Sequence, residues 1–195
     1  MSESEPEEPT FAIVLDYLAH GRSGGGRPQY ETSPAGYVLT EDHFRLYEVA
    51  FDEDERVTIG TRVVIEPASE RDVITDAHEV DYDDCSSGAQ SELEYVVTDI
   101  VEENEDHFVD FYNDAQPITL RLHQLNLLPG IGKKLRNTIL DERKRQPFES
   151  FEDLEERVSG LHDPADVLVE RILEELRDDD LKYRTFVGEE AHQAQ

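Results

Sequence analysis

Apolar and polar residues change period partway along the chain. Residues 11–18 read Phe-Ala-Ile-Val-Leu-Asp-Tyr-Leu, a short apolar run between turn residues, which predicts a strand. Further strands are predicted at 36–40 (Gly-Tyr-Val-Leu-Thr), 44–51, 61–66 and 73–82. Five short strands with polar turns predict a small β-barrel, and the pattern fits an oligonucleotide-binding or an SH3-like barrel equally well. The spacing then turns helical. Leu93, Val96, Val97, Ile100 and Val101 predict an amphipathic helix lying on the barrel, with Phe108, Phe111 and Tyr112 extending its apolar face. Gln116-Pro117 interrupts this pattern and marks the expected domain boundary. Beyond it the chain reads as helices at 118–127, 132–145, 151–158 and 164–177 joined by short turns. The expected fold class is therefore α+β. An acidic, disordered lead at 1–10 precedes a barrel with a helix at 11–116, an all-α domain at 117–187 and a frayed tail at 188–195.

The helical half contains a weak repeat. Leu128-Pro-Gly130-Ile131-Gly132 returns 30 residues later as Val158-Ser-Gly160-Leu161-His162, each copy between predicted helices. In the first copy Gly130 and Gly132 can take positive φ and carry no Cβ to block an approaching backbone, while Ile131 is expected to point inward. The first-turn N–H groups of the next helix lack intrahelical partners and lie at the positive end of its dipole, which suits a phosphate. This pattern resembles the helix-hairpin-helix motif of nucleic-acid-binding proteins. The resemblance implies phosphate contacts from the amides of Gly130, Gly132, Lys134 and Leu135. It also implies a monovalent cation, K+ or Na+, held by the carbonyls of Asn126, Leu128 and Ile131. The competing reading is a plain helix connector with glycine caps. In the second copy His162 replaces the second glycine, and Asp163-Pro164 reads as an N-cap followed by proline at the first helical position, so that unit is expected to be structural.

Charge sharpens the contrast. The 47 Asp and Glu outnumber 18 Lys and Arg, giving a formal net charge of -29 spread over nearly the whole chain. Lysine occurs only at 133, 134, 144 and 182. Such a composition resembles proteins of salt-accumulating haloarchaea, where the Debye length falls to about 3 Å near 1 M salt and surface carboxylates keep proteins soluble. Yet from Arg121 to Arg145 there are seven basic residues (Arg121, Lys133, Lys134, Arg136, Arg143, Lys144, Arg145) and two acids, Asp141 and Glu142. Lys133, Asn137 and Lys144 share one helical face and Lys134, Thr138 and Arg145 its neighbour, with Leu135 and Ile139 opposite. The candidate phosphate-binding residues are thus Gly130, Ile131, Gly132, Lys133, Lys134, Arg136, Asn137, Lys144 and Arg145. A second acid-free stretch, Tyr17 to Tyr30, carries Arg22 and Arg27 around Gly24-Gly-Gly26. There the arginines could clamp phosphate and Tyr30 could stack on a base, or the stretch is a hairpin tip without a ligand.

Other chemistry is thinly represented. A single cysteine, Cys85, excludes an intrachain disulfide and fits a reducing cytoplasm. Asp81-Tyr-Asp83-Asp84 is the kind of cluster that so acidic a chain produces by chance, and the seven histidines lack zinc-ligand spacing. The glycines at 24–26 are not followed by the Gly-Lys-Ser/Thr of a nucleotide-binding loop. No apolar run reaches the roughly 20 residues needed to cross a membrane, and residues 1–9 have no secretory pattern. No catalytic set stands out, and neither a small-molecule substrate nor a membrane partner is expected.

Taken as a whole, the strands, the helix and the segment from Leu125 to Phe186 (LNLLPGIGKKLRNTILDERKRQPFESFEDLEERVSGLHDPADVLVERILEELRDDDLKYRTF) resemble an archaeal family known only as domain of unknown function 655. The resemblance runs from about Phe11 to Phe186. It implies a barrel followed by a tandem helix-hairpin-helix domain. It further implies a non-enzymatic nucleic-acid-binding role, RNA ahead of DNA, since such genes tend to lie beside translation and ribosomal-RNA methylation genes. The alternative is a protein–protein adaptor in ribosome biogenesis or transcription machinery, its basic helix docked on an acidic partner.

Overall fold

The computed structural model describes residues 8–21 and 33–188. Five antiparallel strands form first: β1 (Thr10–Leu18), β2 (Ala35–Thr40), β3 (Leu46–Phe51), β4 (Arg62–Glu66) and β5 (Ile74–Glu79), in the order β4-β1-β2-β3-β5. All five lie where the apolar runs predict. Inward residues Ala12, Val14, Val38, Val49, Phe51, Val63, Ile65 and Ile74, joined by Val57, make the core of this sheet. The expected barrel is only partly realised. The sheet curls into a half-barrel with β4 and β5 as its edges, and no ladder joins these two strands. Curling follows from breaks in register: pairing of β1 with β2 passes from Val14↔Val38 to Asp16↔Tyr37, leaving Leu15 as the extra residue of a bulge. Gly36 faces that bulge. A Cβ there would collide with the Asp16 carbonyl oxygen and come within 2.7 Å of the Phe51 ring, so only glycine lets β1 and β2 pair this closely.

Helix α1 (Ser87–Glu103) begins against the same bulge. Ser86 Oγ donates to Asp16 Oδ2 at 2.6 Å and accepts the Ala89 amide at 3.1 Å, so a carboxylate and a hydroxyl occupy the positive start of α1. The expected helical spacing is borne out, with Ala89, Leu93, Val96, Val97, Ile100 and Val101 buried.

The chain divides into two compact units between Val96 and Val97, inside α1, and Phe186 belongs again to the first unit. This is earlier than the boundary expected at Gln116-Pro117. The reason is α2 (Glu105–Asp114), which is hydrogen-bonded to the helical unit. Tyr112 Oη donates to the Pro164 carbonyl at 2.8 Å, Asn113 exchanges two hydrogen bonds with the Phe148 backbone, and Glu105 accepts the Phe151 amide. The aromatic face at Phe108 and Tyr112 therefore serves the helical core.

That unit continues with α3 (Lys133–Arg145), α4 (Phe151–Arg157) and α5 (Pro164–Arg177). Arginines close the helix ends, as the macrodipole favours. Arg143 donates to the Tyr112 and Ala115 carbonyls that end α2, and Arg157 donates at 2.7 Å to each of the Glu142 and Gln146 carbonyls at the end of α3. Buried Arg171 bonds Glu175 at 2.9 Å and the Tyr183 carbonyl at 2.6 Å; Glu175 in turn accepts the Thr185 amide. The helix expected at 118–127 does not form. Pro117 and His123 instead pair as an antiparallel bridge, and only Gln124–Leu127 makes a 3-10 turn. Ile118, Leu120 and Leu122 recur every second residue, the period of a hairpin and not of a helix.

Candidate nucleic-acid interface

Residues Leu128 to Ile131 form a tight turn closed by the Ile131 amide on the Leu128 carbonyl at 3.2 Å. Pro129 suits its second position. Gly130, at φ 79°, supplies the left-handed conformation that a type II turn needs at its third. Leu128 and Ile131 are buried and pin the turn to the core, while Gly130 and Gly132 are exposed. No atom lies within 4 Å of where a Cβ would stand on either glycine. Bare backbone is thereby presented outward.

Gly132 is the N-cap of α3 and has no side chain with which to cap it. Among the described residues, the amides of Gly130, Gly132, Lys133, Lys134 and Leu135 meet no protein acceptor; the first paired amide of α3 is that of Arg136, on the Gly132 carbonyl at 3.0 Å. The other helix starts are furnished differently. Ser86 caps α1, Glu105 and Asp106 lie in the first turn of α2, and Ser150 and Asp163 cap α4 and α5. Helix α3 instead opens with two lysines, each placed against the dipole at a cost of about 0.3–1 kcal/mol at low ionic strength. A bound anion would reverse the sign of that term.

The basic residues of the hairpin fall into two groups. Lys133, Lys134, Lys144 and Arg121 are exposed and make no ion pair among the described residues. The others are engaged: Arg145 with Glu142 at 3.1 Å, Arg143 at the end of α2, and Arg136 with Asn126 Oδ1 at 3.1 Å and with Asn137. Asn126 is the brace of the site. Its Oδ1 also accepts the His123 amide at 3.2 Å, and its Nδ2 donates to the Ile131 carbonyl at 3.2 Å. His123 Nδ1 accepts the Leu125 amide, which requires a neutral ring. Burial, with Arg143 and Arg136 nearby, holds its pKa below the ordinary value and keeps it neutral.

The carbonyls implied as cation ligands are a poor fit for K+ or Na+. Leu128 and Ile131 each already accept one hydrogen bond, and the Arg136 guanidinium on Asn126 Oδ1 puts a fixed positive charge in the same corner, which repels a cation.

The model of a protein family of unknown function (DUF655) matches residues 8–188. The chain belongs to that family. Among its relatives, the uncharacterized protein MJ0038 of Methanocaldococcus jannaschii is 40% identical over 179 residues, covering 91% of this chain and 79% of that protein. The family's fold is also seen in the crystal structure of Af1531 from Archaeoglobus fulgidus, with a TM-score of 0.83 at 38% identity over 92% of this chain and 99% of that one.

The second turn of this family member repeats the first in backbone alone. Leu161 N bonds the Val158 carbonyl at 3.2 Å and Gly160 has φ 94°, but Asp163 then takes the Asp166 amide at 3.1 Å, so α5 caps itself as its sequence predicts. Arg22, Arg27 and Tyr30 lie outside the described residues. Asp81 and Asp84 cap a 3-10 turn, and Cys85 Sγ lies 3.6 Å from the Asp81 carbonyl; burial and then Asp84 push that thiol up to about 11. Sequence reasoning missed the Asn126 brace and the exposed tip at Leu120. For the tip, the two-residue period from Ile118 to Leu122 was the available signal; for the brace there was none, since an asparagine's partners depend on the fold. No described helix is long and apolar enough to cross a membrane.

Proposed function

We propose that this protein is a non-enzymatic nucleic-acid-binding protein that grips a phosphate backbone through a helix-hairpin-helix turn at Gly130–Gly132 and the start of α3. The observation that carries the reading is the uncapped start of α3, with free amides, open glycines and lysines set against the dipole in a chain of net charge -29. Lys133, Lys134 and Lys144 would neutralise phosphates, while Arg136 and Asn137 hold the turn in shape. The preference for RNA over DNA comes from the family resemblance, and the acid excess is read as an adaptation to salt.

Salt decides which residues matter. Counterion release weakens binding with a log–log slope of about -0.9 per phosphate on duplex and about -0.7 on single strands. Amide hydrogen bonds lose less to screening than lysine pairs do. In molar KCl, Gly132→Val is therefore expected to lower the affinity for a fluorescein-labelled RNA more than Lys133→Ala and Lys134→Ala combined, read by anisotropy. Gly132 is extended, with open space around its Cβ position, so valine fits the fold. The reverse ordering would falsify the amide-based reading. Partners that persist in native-salt pull-downs after nuclease digestion would favour the adaptor.

A further inference from the structure

Residues 116–124 form a closed finger. Gln116 and Gln124 hold its base, with the Gln124 amide on the Gln116 carbonyl at 3.0 Å and the Gln116 amide on Gln124 Oε1 at 2.8 Å. Nearer the tip, the Ile118 and Thr119 amides both reach the Leu122 carbonyl, and Thr119 Oγ1 accepts the Arg121 and Leu122 amides. A loop so fully bonded is stiff, and it holds Leu120 at its tip entirely exposed. The side chain beside it is Arg121, exposed and without an ion pair among the described residues.

We propose that Leu120 is a wedge that inserts beside an unpaired or weakly stacked base of the nucleic acid whose backbone is held at Gly130–Gly132. The inference rests on the proposed phosphate grip and adds the kind of target: RNA interrupted by a bulge or loop, where bases are open to an apolar side chain. Two observations choose nucleic acid as the occupant. From Ala115 to Leu140 the sequence holds no Asp or Glu, so the finger and the turn both lie on one acid-free stretch of an acidic chain. The finger and the turn are also built as one piece. Asn126 bonds the base of the finger at the His123 amide, the turn at the Ile131 carbonyl and α3 through Arg136. A single leucine beside one arginine is too small an anchor for a protein interface, which needs a cluster of apolar side chains, but it suffices to wedge apart adjacent bases.

The test uses the full chain and two RNA hairpins in molar KCl. One has a single-nucleotide bulge with 2-aminopurine beside it; the other is fully paired. Wild-type protein is expected to prefer the bulged hairpin and to raise 2-aminopurine fluorescence. Leu120→Ser should leave binding to the paired hairpin within about twofold, cut the preference for the bulge at least about fivefold and abolish the fluorescence rise, with Leu120→Met restoring both. Circular dichroism of Leu120→Ser should match wild type, since the side chain packs on nothing. If wild type and Leu120→Ser bind both hairpins alike, the wedge is overturned while the phosphate grip stands. If neither hairpin binds wild type, the grip fails and the wedge with it. If Leu120→Ser instead releases a nuclease-resistant protein partner, the finger is a protein contact and the wedge is wrong.

Discussion

The turns at Leu128–Ile131 and Val158–Leu161 share a 3.2 Å hydrogen bond, a glycine at positive φ and a buried aliphatic residue, yet the helices they introduce begin in opposite ways. Helix α5 starts with Asp163 on the Asp166 amide and Pro164 at its first position, and needs nothing from outside. Helix α3 starts with glycine and two lysines. One backbone design thus serves closure in one place and presentation in the other. The difference lies just after the turn: Gly132 is an extended N-cap, whereas Asp163, one residue further along the repeat, caps α5 from left-handed backbone at φ 45°.

The strongest way to break this comparison is to make the first turn like the second. Gly132→Asp is expected to cap α3, raising stability by about 0.5–1 kcal/mol in urea unfolding, and to lower RNA affinity at least about tenfold by placing a carboxylate where the phosphate should sit. A variant both more stable and still binding would remove the basis of the proposal. The converse change, Asp163→Ala, strips the cap from α5 and leaves a β-carbon residue at φ 45°. It should cost about 1–2 kcal/mol of stability while RNA binding at saturating folded protein is unaltered. Lys133→Ala with Lys134→Ala sharpens the contrast more gently. It should lower affinity about tenfold or less near 0.15 M KCl and reduce the log–log salt slope by about 1–2, with the loss fading above 1 M.

The smallest effect concerns pH. The folded pKa of His123 lies below its unfolded value near 6.5, so the unfolded chain binds the extra proton. The stability this histidine contributes is complete above that value and declines as pH falls through it toward the folded pKa. Urea midpoints measured from pH 7.5 to 5.5 should drop for wild type and change less for His123→Asn, whose Oδ1 can take over the Leu125 amide. Equal slopes in the two proteins would show that the ring's neutrality is irrelevant to the hairpin.

Local periodicity made the five strands, α3, α4 and α5 legible, because each buries one face at its own repeat. It misled at 118–127, where Ile118, Leu120 and Leu122 alternate and a proline precedes them. The bulge at Leu15, the open seam between β4 and β5, and the allegiance of α2 were beyond its reach, since each depends on residues far apart in the chain. The glycine turn itself was legible for chemical reasons: Gly-Ile-Gly-Lys-Lys combines backbone freedom, an inward anchor and misplaced charge in five residues. Its brace, Asn126 with Arg136, became visible only in three dimensions.

The chain leaves the first unit within α1 and rejoins it at Phe186, where the Gly188 amide closes on the His43 carbonyl at 3.0 Å. During synthesis, a nascent polypeptide would therefore have laid down the curled sheet, then the entire helical unit, before the closing piece of the sheet's own unit left the ribosome. Assembly of the earlier half finishes last, and the helical half is the first that the growing polypeptide can complete.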